Sequence, residues 1–223
     1  MDRNQPLVDF KRMGTGLCFI LFPAIWVFGF AVHPNLLAPR MMLGPAELLQ
    51  RAHGNGMLHL AHALVTVNTA FLVVVTLRYM KLLEGTPSAW AGFVGAGLAV
   101  FGACMLAAEK GALCLALSAV DTIPETEFAQ MLPGLLAIFS FKGWLALVWG
   151  LVLMPIGVLV QAVGMFRART FPRWQLGLLF VGVLFIGFPD GAEIINLTAA
   201  VLMAAAMVPY GVRLMAMSPA EAR

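Results

Sequence analysis

Residues 55–77 read NGMLHLAHALVTVNTAFLVVVTL, and this stretch decides the fold. From Asn55 up to Arg78 no residue carries a permanent charge. At 1.5 Å per residue, a helix of this length crosses the roughly 30 Å of hydrocarbon in a bilayer. Lipid offers backbone groups no hydrogen bonds, so an apolar run that long reads as a transmembrane helix, which closes its own. The same stretch holds two histidines. Asn55, His59, His62 and Thr66 are spaced i, i+4, i+7 and i+11, which puts them in one stripe along one face. Residues 55–77 therefore give both the class of the protein and a first clue to its chemistry.

The rest of the chain repeats the first property. Of its 223 residues, 61% are hydrophobic and 11% charged, with a mean hydropathy of +0.90. A soluble domain carries about 25% charged residues, so this chain is too apolar to cover its surface in water. Apolar runs between charged or Pro/Gly breaks predict six spans, at about 13–32, 56–77, 89–119, 143–166, 173–188 and 191–212. No segment outside them is long enough for a separate soluble domain. The expectation is an all-α integral membrane protein, one six-helix transmembrane domain over residues 1–223. The connection 33–55 contains Gly44 to Arg51, which reads as a short interfacial helix with Pro45 in its first turn. Residues 121–141 begin acidic (Asp121, Glu125, Glu127) and continue as an apolar stretch too short to span.

The first span has an apolar run of about 19 residues and no A-x-A site before His33-Pro34, so it reads as a retained helix rather than a signal peptide. Cys18, Cys104 and Cys114 all fall inside spans. Cys104 and Cys114 lie about 15 Å apart along one helix, too far for a disulfide, and all three read as small packing residues. The net charge of +3 does not point to nucleic acid, because the basic residues gather at helix ends. With the N-terminus inside, Arg3, Lys11, Arg12, Arg78, Lys81, Arg167, Arg169, Arg173, Arg213 and Arg223 fall on the inner side. Arg40 and Arg51 fall outside. By the positive-inside rule both termini are cytoplasmic, in a bacterial inner membrane. Lys110 and Lys142 lie within or beside spans. Six spans also divide into two oppositely oriented sets of three, with Pro23 and Pro155 as corresponding breaks, the layout of inverted-repeat transporters.

An ionisable side chain in hydrocarbon costs several kcal/mol unless it is paired or wetted, so each one is a candidate for function. Counting from the inner boundary places His62 about 24 Å and His59 about 28 Å across, with Glu109 and His33 near 31 Å. Asp190 comes to about 25 Å and Glu193 to about 30 Å. All six cluster in the outer half. Glu193 and Asn196 share a face of the last span. The Phe188-Pro189-Asp190-Gly191 break shortens the fifth span and leaves backbone groups to meet a solute or ion. The candidate ligand- or proton-binding residues are therefore His59, His62, Glu109, Asp190, Glu193 and Asn196.

Three uses fit this set. It can line a pocket that binds, and translocates, an ion or small polar solute, with histidine and a buried carboxylate as proton carriers. It can hold a transition metal through His59, His62, Glu109 and Glu193, or a haem, although haem needs a histidine on a second helix and only His33 is available. The third use is internal glue in a non-catalytic subunit of a membrane complex. The expected partners are the lipid bilayer, a small solute or ion, and further copies or subunits. The tryptophans at span ends read as an aromatic belt, and Gly92, Gly95, Gly97 and Gly102 as helix-packing glycines. There is no G-x-S-x-G, H-E-x-x-H or Walker pattern.

Overall fold

Long apolar runs without a polar partner for the backbone can only satisfy it as helices, and the chain does so. The structure, a computed structural model, describes residues 5–33, 36, 45–138, 141–186 and 192–217. Among these residues there are eight helices and no strand: α1 (Gln5–Ala31), α2 (Pro45–Ala52), α3 (Gly56–Leu83), α4 (Ala89–Val120), α5 (Glu125–Ile138), α6 (Phe141–Ala168), α7 (Arg173–Phe185) and α8 (Glu193–Ala216). Four helices are long and apolar enough to cross a membrane, namely Pro6–Ala31, Gly56–Leu83, Ala89–Val120 and Glu193–Ala216. The chain thus has the make-up of a helical membrane protein. The expected fourth and fifth spans coincide with α6 and α7. The latter has 13 residues and rises only about 20 Å.

Helices α1 and α8 run in opposite directions, whereas α3 and α8 run the same way. Arg12, near the start of α1, donates to the carbonyls of Met215 and Met217 at the end of α8. Arg78, late in α3, donates to the Tyr210 hydroxyl of α8 at 3.0 Å. One end of the bundle therefore gathers Arg12, Arg78, Arg213 and the α6–α7 turn, where Arg169 ends α6 with a positive φ of 56°. At that end Phe19, Tyr79, Phe171 and Tyr210 form a cluster of edge-on and tilted rings 4.8 to 5.8 Å apart. At the opposite end α2 and α5 form a cap. Leu49 and Ala52 of α2 and Phe128 and Leu135 of α5 join Leu58, Leu113, Leu117 and Val120 in a second, smaller core.

Backbone-to-backbone approach fixes how the helices cross. A Cβ on Gly157 of α6 would lie 2.4 Å from the Ala99 nitrogen and 2.5 Å from the Gly95 carbonyl oxygen of α4. The same holds where α1 meets α8, since a Cβ on Gly211 would lie 2.6 Å from the Gly16 carbonyl oxygen. Small residues at interfaces let transmembrane helices pack this closely. Of the span 3 glycines, Gly92 and Gly95 sit in such contacts, whereas Gly97 faces open space. Gln161, fully buried, ties three helices together. Its amide donates to the carbonyls of Thr76 in α3 at 2.9 Å and Gly92 in α4 at 3.2 Å. Pro23 and Pro155 lie inside α1 and α6, and both helices continue through them.

Candidate functional site

The capped end holds nearly all the unusual polar groups. Asn55 caps α3, its side-chain oxygen accepting from the Leu58 N–H at 3.1 Å, which meets a donor that a helix start leaves orphaned. The turn before it needs a left-handed residue, and Gly54 supplies it with φ +70°. That turn aims the Gly54 N–H at Asp121 Oδ1, 2.8 Å away. Asp121 stands where α4 ends. Its two oxygens are shared between two histidines, with His53 Nδ1 3.5 Å from Oδ1 and His59 Nδ1 3.3 Å from Oδ2. The other nitrogen of His59 is 3.1 Å from the Ala52 carbonyl oxygen. His53 stacks on Phe128 of α5, with centroids 4.5 Å apart and planes 14° apart. One carboxylate thus joins the α2–α3 turn, α3 and α4, and the stacked ring adds α5.

One turn further into α3 the environment changes. His62 is half-buried and its Nδ1 is buried without a hydrogen-bond partner among the described residues. Lys110, His33 and His59 lie close enough to act on it electrostatically. On α4, Glu109 Oε1 is 3.2 Å from Lys110 Nζ, while Glu109 Oε2 is buried and lacks a hydrogen bond among the described residues. The Cys114 thiol lies one turn beyond Lys110, near Thr66 of α3. Across the bundle, His33 at the end of α1 approaches Glu193 at the start of α8, Nδ1 to Oε1 at 3.6 Å. Asn196 donates to the other oxygen of Glu193 at 3.4 Å. Glu193 and Asn196 are 5% and 2% exposed.

The structure brings the expected residues together in part. His33 and Glu193, assigned equal depth by counting along different spans, do meet. His59 and His62 do share a face of α3, but they look to different partners. The four residues expected as metal ligands do not converge: His59 turns to Asp121, Glu109 to Lys110 and Glu193 to His33. Among the described residues no three His, Cys, Asp or Glu side chains stand together as a metal site. Asp190, with the Pro189 break, lies outside the described residues. Sequence reasoning placed Asp121 on an acidic loop and left His53 aside. Loop charges are ordinarily solvated, and the 67 residues between Gly54 and Asp121 hide the contact. The one available signal was Asp121's place at the last turn of an apolar helix, level with the histidine stripe.

The enclosed cavity deeper in the bundle is of another kind. It is lined by Phe22, Leu72, Val75, Tyr79 and Met203 among others, all apolar but for the tyrosine hydroxyl, and its volume is about 20 Å³. That is room for one water and no solute. Compared with known proteins, the chain matches no family model, no curated protein and no solved structure. Its chemistry is therefore read from its own residues.

Proposed function

We propose that this chain is a six-span protein of a bacterial cytoplasmic membrane, with both termini inside, that binds and translocates an ion or small polar solute. In this reading the polar layer beneath the α2/α5 cap is the binding site. One observation carries it: His62 Nδ1 and Glu109 Oε2, on neighbouring helices of spanning length, are buried without hydrogen bonds among the described residues. A buried polar atom left without a partner costs about 1–3 kcal/mol, more if charged, and in a membrane such a cost usually marks a working site. These two atoms would bond the transported species or the proton that accompanies it. Lys110, Cys114 and Thr66 lie along the same stretch of α3 and α4, and His33, beside Glu193, is near enough to His62 to act on it electrostatically. The gathering of Arg12, Arg78 and Arg213 at the opposite end supports the cytoplasmic assignment of that end. A bundle this small would work as an oligomer or as part of a larger membrane assembly.

The test is flux. Purified protein in liposomes with a trapped pH-sensitive dye should dissipate an imposed proton gradient, or do so on addition of a monovalent or divalent cation. His62→Ala and Glu109→Gln should each lower that rate at least tenfold, with the melting temperature held within a few degrees. If wild-type vesicles leak no faster than empty ones, and the variants only lower the melting temperature, the polar layer is internal glue and the proposal is wrong.

A further inference from the structure

A second site lies outside the polar layer, on the face of the bundle turned toward lipid. Helices α6 and α7 touch sparingly, and between α4 and α7 this leaves a groove of about 410 Å³. Its floor is α6, with Ile156, Val160 and Val163. Its walls are Trp90 of α4 and Phe180 of α7, and Ser88 and Arg167 stand at one end. The lining is apolar along its whole length except at that end. From Ile156 to Arg167 the floor runs eleven residues, about 16 Å, which is half of a 30 Å hydrocarbon core, the depth of one leaflet.

An apolar slot one leaflet deep with a cation at its mouth has the shape and charge of a phospholipid site. Arg167 is exposed, and a guanidinium offers the paired N–H donors that suit a phosphate. Arg169 and Arg173 follow in the α6–α7 turn and add positive charge at the same end. The Arg173 guanidinium lies 5.5 Å from the centre of the Phe166 ring. Trp90, 60% exposed, is of the type that settles at headgroup level. We infer that this groove binds one anionic phospholipid, with its phosphate on Arg167 and an acyl chain along Val160 and Val163. Basic pockets between transmembrane helices hold anionic headgroups in this way.

The experiment uses the purified full chain in detergent, titrated with dioleoylphosphatidylglycerol or dioleoylphosphatidylcholine. The anionic lipid should raise the melting temperature by about 2 °C or more and give a one-lipid adduct by native mass spectrometry. The zwitterionic lipid should do neither. Arg167→Gln, a change at an exposed residue, should abolish the shift while leaving the lipid-free melting temperature in place. Val163→Trp, which fills the groove, should abolish the adduct. Equal gains from both lipids, no gain from either, or a gain that survives Arg167→Gln would overturn the inference. So would a dimer that Val163→Trp dissolves, because the groove would then hold a second copy of the chain.

Discussion

Gly157→Ala is expected to lower the stability of the bundle by about 2 kcal/mol or more, a fall in melting temperature on the order of 5 °C. The added carbon would lie 2.4 Å from the Ala99 nitrogen and 2.5 Å from the Gly95 carbonyl oxygen. Both are backbone atoms, so no side-chain rotation relieves the overlap, and α4 and α6 must separate. Separation also strains the Gln161 amide, whose acceptors are carbonyls of α3 and α4. The control is Gly97→Ala on α4, where the new carbon meets nothing within 4 Å. Alanine favours a helix over glycine by about 1 kcal/mol, so that change should be neutral or stabilising. The opposed signs are the point of the experiment, read as fluorescence-detected melting in detergent. Similar shifts for the two variants would show that close approach does not set this crossing.

The second large effect concerns the cap. Asp121→Ala removes the acceptor shared by His53, His59 and the Gly54 N–H. These side chains are 16 to 25% exposed, so solvent screens part of the attraction and the global cost should be about 1–2 kcal/mol. The local effect should be larger. With the carboxylate gone, α2 keeps the apolar contacts of Leu49 and Ala52 and the His59 ring at the Ala52 carbonyl, and the cap should open more often. Cys114, two turns below Asp121 and half-buried, reports on that opening. In a background with Cys18 and Cys104 changed to serine, a water-soluble maleimide should modify Cys114 several-fold faster in Asp121→Ala than in the parent. Amide hydrogen exchange over residues 45–55 should rise in parallel. Unchanged labelling and exchange would mean that apolar packing alone holds the cap.

Much of this architecture is legible in the sequence because lipid makes a simple demand. Spans expected at 56–77 and 89–119 are seen as Gly56–Leu83 and Ala89–Val120, and the short helix after Pro45 is present. The first helix starts earlier than hydropathy suggests, at Gln5. Arg12 lets it do so by ion-pairing with Asp9 at 3.1 Å while closing the carbonyls that end α8. Depth counting anticipated one contact, since helical rise is constant and His33 and Glu193 do meet. Phase found less. The stripe of His59 and His62 says which face is polar but not which neighbour faces it: His59 turns both to Asp121 at the end of α4 and to the Ala52 carbonyl of α2. Contacts made through turns, such as His53 and Asp121, follow no period. Asn68 and Gln161 place amides inside apolar runs. Their acceptors, backbone carbonyls of other helices, carry no mark in sequence.

The Gln161 tie also has a mechanical consequence. Sliding α6 along α4 by one residue would carry Gly157 off the small surface it needs and take the amide away from both carbonyls. Helices α3, α4 and α6 are thus geared together. On the other side, Gly16 against Gly211 and Gly182 against Ala199 lock α1, α7 and α8 into a second body. The polar layer spans the line between them, with His62 and Glu109 on one body and His33 and Glu193 on the other. Parting the two bodies would open that layer only by breaking the bond from the Asn68 amide of α3 to the Phe22 carbonyl of α1.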